Sequence, residues 1–150
     1  MATPKGRKLA QGKMRRGVAG SRSKGIPEAV QTRTKDRILA CAKEHFAGKY
    51  DRIEVYFRGS FCYIDAYEDP TTAPPGFLAC IGETPEEHRE RLRQTPIHLC
   101  RLRYLGSADH WGWALYTYSH ERYEESVFLG GGWSGTPEEA FTLAAQLYLR

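Results

Sequence analysis

Two sets of residues in this sequence carry chemistry, and both are cationic. The first is Lys5, Arg7, Lys8, Lys13, Arg15, Arg16, Arg22 and Lys24, which fall within residues 1–25 without one Asp or Glu among them. Like charges spaced through glycines suit a phosphate backbone, where each neutralised phosphate releases a counterion. The second set is Arg52, Arg58, Arg101 and Arg103, interleaved with Tyr56, Phe61 and Tyr63 and with Tyr67 and Tyr116 or Tyr118 nearby. Guanidinium groups beside flat rings hold single-stranded nucleic acid, with bases stacking on the rings and phosphates pairing with the cations. The same residue types are favoured in protein interfaces, so a protein–protein interaction module is the second reading.

Other candidates for chemistry are thinner. Cys62, His98 and Cys100 are potential zinc ligands, since residues 98 and 100 fall on one face of a strand, but no CxxC pair accompanies them. The four cysteines, Cys41, Cys62, Cys80 and Cys100, read instead as reduced thiols, mostly small buried groups. Asp65, Glu68 and Asp69 are potential ligands for a divalent ion of the kind nucleases use, although carboxylates running into a Pro-rich loop are ordinary at a strand end. His110 and His120 lie on turns beside Asp109 and Glu121, with nothing to mark a nucleophile near them.

The glycine run Gly130–Gly132 precedes a helix but lacks the Lys-Ser/Thr of a phosphate loop, and Glu138 and Glu139 would repel an anion there. Gly132-Trp133-Ser134-Gly135 has the wrong spacing for a nucleophile elbow. No catalytic residue, metal or cofactor is assigned on these grounds. A metal-dependent nuclease-like enzyme stands third.

Charge and composition set the frame for these elements. Of the 22 Lys and Arg, eight lie in residues 1–25 and fourteen beyond, while all 18 acids lie beyond, so a strongly basic segment precedes a body of net charge −4. Residues 1–31 read as a disordered basic tail: glycine-rich, poor in bulky apolar side chains, and unable to offset the entropy of ordering. Residues 32–150 read as one domain. No apolar run approaches a membrane span, and the leading residues lack the apolar block of a secretory signal, so the expectation is a cytoplasmic protein.

Within the domain, a helix is expected from Thr32 or Thr34 to about Ala47, with Ile38, Leu39, Ala42 and Phe46 on one side and Gly48 ending it. Ile53, Val55 and Phe57 alternate with polar partners, and Gly59-Ser60 suits a two-residue turn. That turn sets Phe57 opposite Cys62, Val55 opposite Ile64 and Ile53 opposite Ala66 on the core side. The other side shows Arg58 beside Phe61, Tyr56 beside Tyr63, Glu54 beside Asp65 and Arg52 beside Tyr67.

Residues 77–81 read as a short buried strand or an apolar plug. Thr84-Pro85-Glu86-Glu87 and Thr136-Pro137-Glu138-Glu139 are two capping boxes, each opening a helix. Between them residues 97–129 form a three-stranded meander. Its preferred register buries Trp111, Trp113 and Leu115, and Tyr123, Val127 and Leu129 are expected on the core face.

The fold class is therefore α+β. An antiparallel sheet of about five strands, hairpin plus meander, carries the N- and C-terminal helices on one face, behind the disordered basic tail. The function that follows is a small non-enzymatic nucleic-acid-binding or accessory protein.

Overall fold

The alternation in residues 52–67 becomes a hairpin with the register its turn dictates. In the computed structural model, which describes residues 25–74 and 76–149, β1 (Arg52–Arg58) pairs with β2 (Phe61–Tyr67), Val55 opposite Ile64 and Tyr56 opposite Tyr63. Gly59 has φ 61° and Ser60 a negative φ, the pattern of a turn with glycine at its first central position.

A helix, α1 (Glu28–His45), precedes the hairpin. After it come a 3-10 turn (Pro70–Thr72), α2 (Phe77–Ile81), α3 (Pro85–Gln94), β3 (Ile97–Ser107), β4 (His110–Thr117), β5 (Arg122–Ser126) and α4 (Pro137–Tyr148). The five strands make one antiparallel sheet in sequence order. α1 packs on α4 and β1, and α4 crosses β3 and β4, so both terminal helices cover the same face. The fold is α+β.

Residue spacing explains the core. Thr34, Ile38, Cys41 and Ala42 line one side of α1, and Ala140, Phe141, Ala144 and Ala145 line one side of α4, each a stripe at helical period. Phe46 meets Phe141 edge to face, with ring centres 5.6 Å apart. Beneath them Leu102 stands opposite Trp113 and Cys100 opposite Leu115, which puts Trp111 and Trp113 under the helices. Both capping boxes form: the Glu87 and Glu139 N–H groups donate to the hydroxyls of Thr84 and Thr136, and each glutamate accepts from its threonine's N–H.

A polar staple closes the helix pair. The Arg37 guanidinium donates from Nε and Nη2 to the two Glu138 oxygens, both at 2.7 Å, and from Nη1 to Asp109 at 2.9 Å and the Ala108 carbonyl at 3.1 Å. One side chain thus ties α1 to the first turn of α4 and to the β3–β4 turn. Burial works to raise the Glu138 pKa, but the Arg37 guanidinium outweighs it and holds the carboxyl below its ordinary value.

Several expectations are corrected. The expected tail boundary at Gln31 is too late, because Ile26 is buried in the core and α1 begins at Glu28. Neither Thr32 nor Thr34 caps that helix; Pro27 occupies the N-cap position and Thr34 is buried within the helix. Residues 77–81 are helical with no buried side chain, not a buried strand or plug. Tyr123 pairs with Tyr116 and lies on the face away from the helices, while Val127 and Leu129 are exposed and Phe128 takes the core position.

The chain leaves β5 at Ser126 and returns at Gly135, which bridges Trp111 through two backbone hydrogen bonds of 2.8 and 2.9 Å. A Cβ at Gly135 would stand 2.7 Å from the ring of buried Phe128. Gly135→Ala is therefore expected to destabilise the fold by roughly 1–3 kcal/mol, read as a lower urea midpoint, and an unchanged midpoint would refute that close packing.

The staple gives a second expectation. Glu138 has a depressed pKa when folded, so its contribution is present above the unfolded value of about 4.3 and is lost as pH falls through the lower folded value. Glu138→Gln should cost about 1–2 kcal/mol at pH 7, after allowance for solvent screening of a half-exposed pair. The gap between variant and parent in thermal scans should narrow as pH falls below the unfolded value of about 4.3 and close once the lower folded value is passed.

Candidate nucleic-acid interface

On the face opposite the helices, strand pairing sorts the side chains into rows across the sheet. The first row runs Arg58, Phe61, Arg103, Gly112; the second runs Tyr56, Tyr63, Arg101, Ala114, Glu125. A third holds Glu54, Asp65 and His98, with Tyr116 and Tyr123 beyond. All seven body residues singled out from the sequence, Arg52, Tyr56, Arg58, Phe61, Tyr63, Arg101 and Arg103, lie on this side, where Tyr56, Phe61, Tyr63 and Arg101 are half-buried and Arg58 and Arg103 exposed. The eight cations from Lys5 to Lys24 lie outside the described residues.

The rings occupy one another. Tyr56 and Tyr63 stack with centres 5.2 Å apart and planes 12° from parallel, and Tyr123 meets both Tyr63 and Tyr116 edge-on. Arg101 sits over Phe61 at 4.4 Å and near Tyr123 at 5.4 Å, and the Arg103 guanidinium lies 5.8 Å from the centre of the same Phe61 ring. Arg52 covers Tyr67 at 3.8 Å, which sets it apart from the other arginines. Among the described residues Arg101 has no carboxylate within ion-pair distance, whereas Arg103 has Glu125 at 4.0 Å.

At the other end of the face lies a pair the sequence did not suggest. Asp65 is buried and accepts from His98 Nδ1 at 2.9 Å, and the His98 backbone N–H donates to the Tyr118 hydroxyl at 2.7 Å. Burial, and then the Asp65 charge, push Tyr56 up to about 12. The same two causes, in the same order, raise Tyr123 above its ordinary value. A carboxylate orienting an imidazole is an acid–base arrangement, but among the described residues no hydroxyl or thiol bonds to the His98 ring, the Tyr118 hydroxyl meeting only its backbone N–H.

The proposed zinc trio separates. Ile64 faces Cys100 and Asp65 faces His98, so Leu99 is an unpaired extra residue. A bulge of this kind puts His98 outside and leaves Cys100 with Cys62 in the core. Asp69 caps its own turn through Thr71 instead of joining Asp65, and His110 and His120 stand at opposite ends of β4. No group of three metal-ligating side chains converges among the described residues.

A groove of about 370 Å³ opens at the arginine end, between Phe61, Arg101 and Arg103 on one side and Trp133 and Glu125 on the other, with Gly112 and Ala114 as its floor. Trp133 is 65% exposed. Sequence reasoning placed it in a connector and missed it; the available signal was the alternation Trp111-Gly112-Trp113-Ala114, large inward and small outward. A larger groove of about 680 Å³ separates α1 from α4, but Glu44, Glu138 and Glu139 line it, the wrong sign for a polyanion. No helix among the described residues is long and apolar enough to cross a membrane. Comparison of the chain with protein families, curated proteins and solved structures returned no match.

The raised tyrosines make an alkaline signature. A phenol whose folded pKa exceeds the unfolded value of about 10 adds stability below that pH and loses it as pH climbs toward the folded value. Phenolate absorbance should show late-ionising tyrosines in the native protein, with Tyr56→Phe removing one that titrates near 12. If every tyrosine ionised at the ordinary value before unfolding, the packing of this face would be wrong.

Proposed function

We propose that this chain is a small non-enzymatic nucleic-acid-binding or accessory protein. Its cationic N-terminal segment supplies salt-sensitive affinity, and its arginine-and-ring sheet face supplies selectivity. The observation that carries this reading is Arg101, a guanidinium fixed against the Phe61 and Tyr123 rings with no carboxylate partner among the described residues. Such a cation is presented to an incoming phosphate at little further cost in side-chain freedom. Arg58 and Arg103 stand in the adjacent row. A cytoplasmic setting accompanies the reading, since all four cysteines are free thiols.

A protein partner is favoured by a different surface. Leu129 is 90% exposed, and Val127 and Leu147 are about half exposed beside it, around a cleft lined by Phe128 and Leu143. A complex that co-purifies and survives nuclease treatment would support that second reading.

Filter binding of a single strand over a range of salt tests the first. Each lost phosphate contact lowers the slope of log affinity against log salt by about 0.7. Arg101→Ala should therefore flatten it by about that amount, and deleting residues 1–25 by up to about 5 to 6. Unchanged affinity and slope in both variants would overturn the proposal.

A further inference from the structure

We infer that the groove between Trp133 and Arg103 takes one unpaired nucleobase, so that the sheet face selects single-stranded over duplex nucleic acid. This rests on the nucleic-acid reading above and names the form of the ligand.

Trp133 is the starting point. Its indole stands largely in water with no ring or cation against it among the described residues, although large indoles are mostly buried and partnered. It is not there through looseness of the loop. The Gly135–Trp111 bridge anchors the loop, Phe128 plugs it into the core, and the Phe128 N–H donates to the Gly132 carbonyl at 2.8 Å. An open aromatic face carried on an anchored backbone is what an unstacked base can stack on.

The floor is open for no reason the fold supplies. Gly112 has no left-handed φ, and a Cβ there would meet only the Trp133 carbonyl at 3.7 Å and Arg103 Cβ at 3.8 Å, ordinary contact distances. A larger residue is compatible with the strand, yet it would fill the groove. The volume of about 370 Å³ falls at the small end of ligand sites, which run from roughly 300 to 1,000 Å³.

Charge sets the orientation. Arg101 and Arg103 line the β3 side, and Glu125 on β5 reaches to 4.0 Å from Arg103, an exposed pair that an incoming base would part. A carboxylate repels phosphate but accepts from the N–H edge of a base. The phosphate therefore lies toward β3 and the base edge toward β5, with the ring on Trp133. A duplex offers no free ring face, and reading it requires a protruding helix or ribbon, whereas this site is recessed.

The test uses the full chain, a short labelled single strand and the duplex made from it. Trp111 is fully buried and Trp113, which also lines the groove, is nearly so, so the exposed Trp133 should dominate quenching of indole emission by the single strand, and Trp133→Ala should remove most of the quench. Losing one stacked base should weaken single-strand binding roughly 5- to 150-fold while leaving duplex binding as it was. Gly112→Leu, which changes no charge, should reproduce that loss, and its circular dichroism should match the parent's. Equal affinity for strand and duplex, with both variants behaving as the parent, overturns the groove inference and leaves nucleic-acid binding standing. Absence of binding to either form overturns both.

Discussion

Leu99 has no partner of its own between β2 and β3, because Ile64 faces Cys100 and Asp65 faces His98. The chain has two adjacent apolar residues there, Leu99 and Cys100, and both are fully buried. Strict alternation would bury one and expose the other. Inserting one residue satisfies both at the cost of a broken ladder step. Everything on either side of the bulge takes its face from it. Below it His98 points out and pairs with Asp65; above it Arg101 and Arg103 point out and Leu102 points in. The register of β4 then follows, placing Trp111 and Trp113 beneath the helices and Gly112 and Ala114 on the open side. Slipping the pairing by one would bury two guanidinium groups and expose two indoles, which no local adjustment repairs.

How much of this was legible depends on how local the determining signal is. The hairpin was readable because alternation and a Gly59-Ser60 turn both act within a few residues and agree. The two capping boxes were readable for the same reason. The start of α1 was not: its anchor is Ile26, a single apolar residue whose burial depends on distant parts of the core and whose neighbours look like tail. Tyr123 was misplaced because β5 has five residues, too few for alternation to outweigh the expectation that large rings go inside. The bulge was invisible, since a period of two presumes one residue per step. It is also why the zinc reading of His98 and Cys100 failed.

Aromatic content alone is a weak argument for binding on this face. Tyr56, Tyr63, Tyr116 and Tyr123 are half-buried by one another, and each such pair contributes about 0.5–1.5 kcal/mol beyond area. Rings that satisfy each other need no ligand to account for them. Phe61 is similarly engaged by Arg101 and Arg103. Among the described residues this accounting leaves over the charge of Arg58, the charge of Arg101 and the indole of Trp133, and the last two border the same groove. The case for a ligand rests on those two side chains and not on the number of tyrosines.

Net charge is an equally coarse guide. The body carries −4, yet many of its acids are held in internal pairs: Glu138 with Arg37, Glu83 with Arg91, Glu90 with Arg93, Glu124 with Arg122. On the open face the Arg58 row lies four residues along a strand from the Asp65 row, about 13 Å, and the Arg101 row only two, about 7 Å. The first distance exceeds the Debye length of about 8 Å at physiological salt and the second does not. Asp65, already bonded to His98, therefore opposes a phosphate at Arg101 more than one at Arg58 or Arg103. The charge that competes there is Glu125, 4.0 Å from Arg103. It lowers the pull on any anion passing over the groove, and the same carboxylate gives a base edge something to donate to. On the proposed reading, the face is thus poor at holding a bare polyanion and better suited to a strand whose bases are free to turn inward.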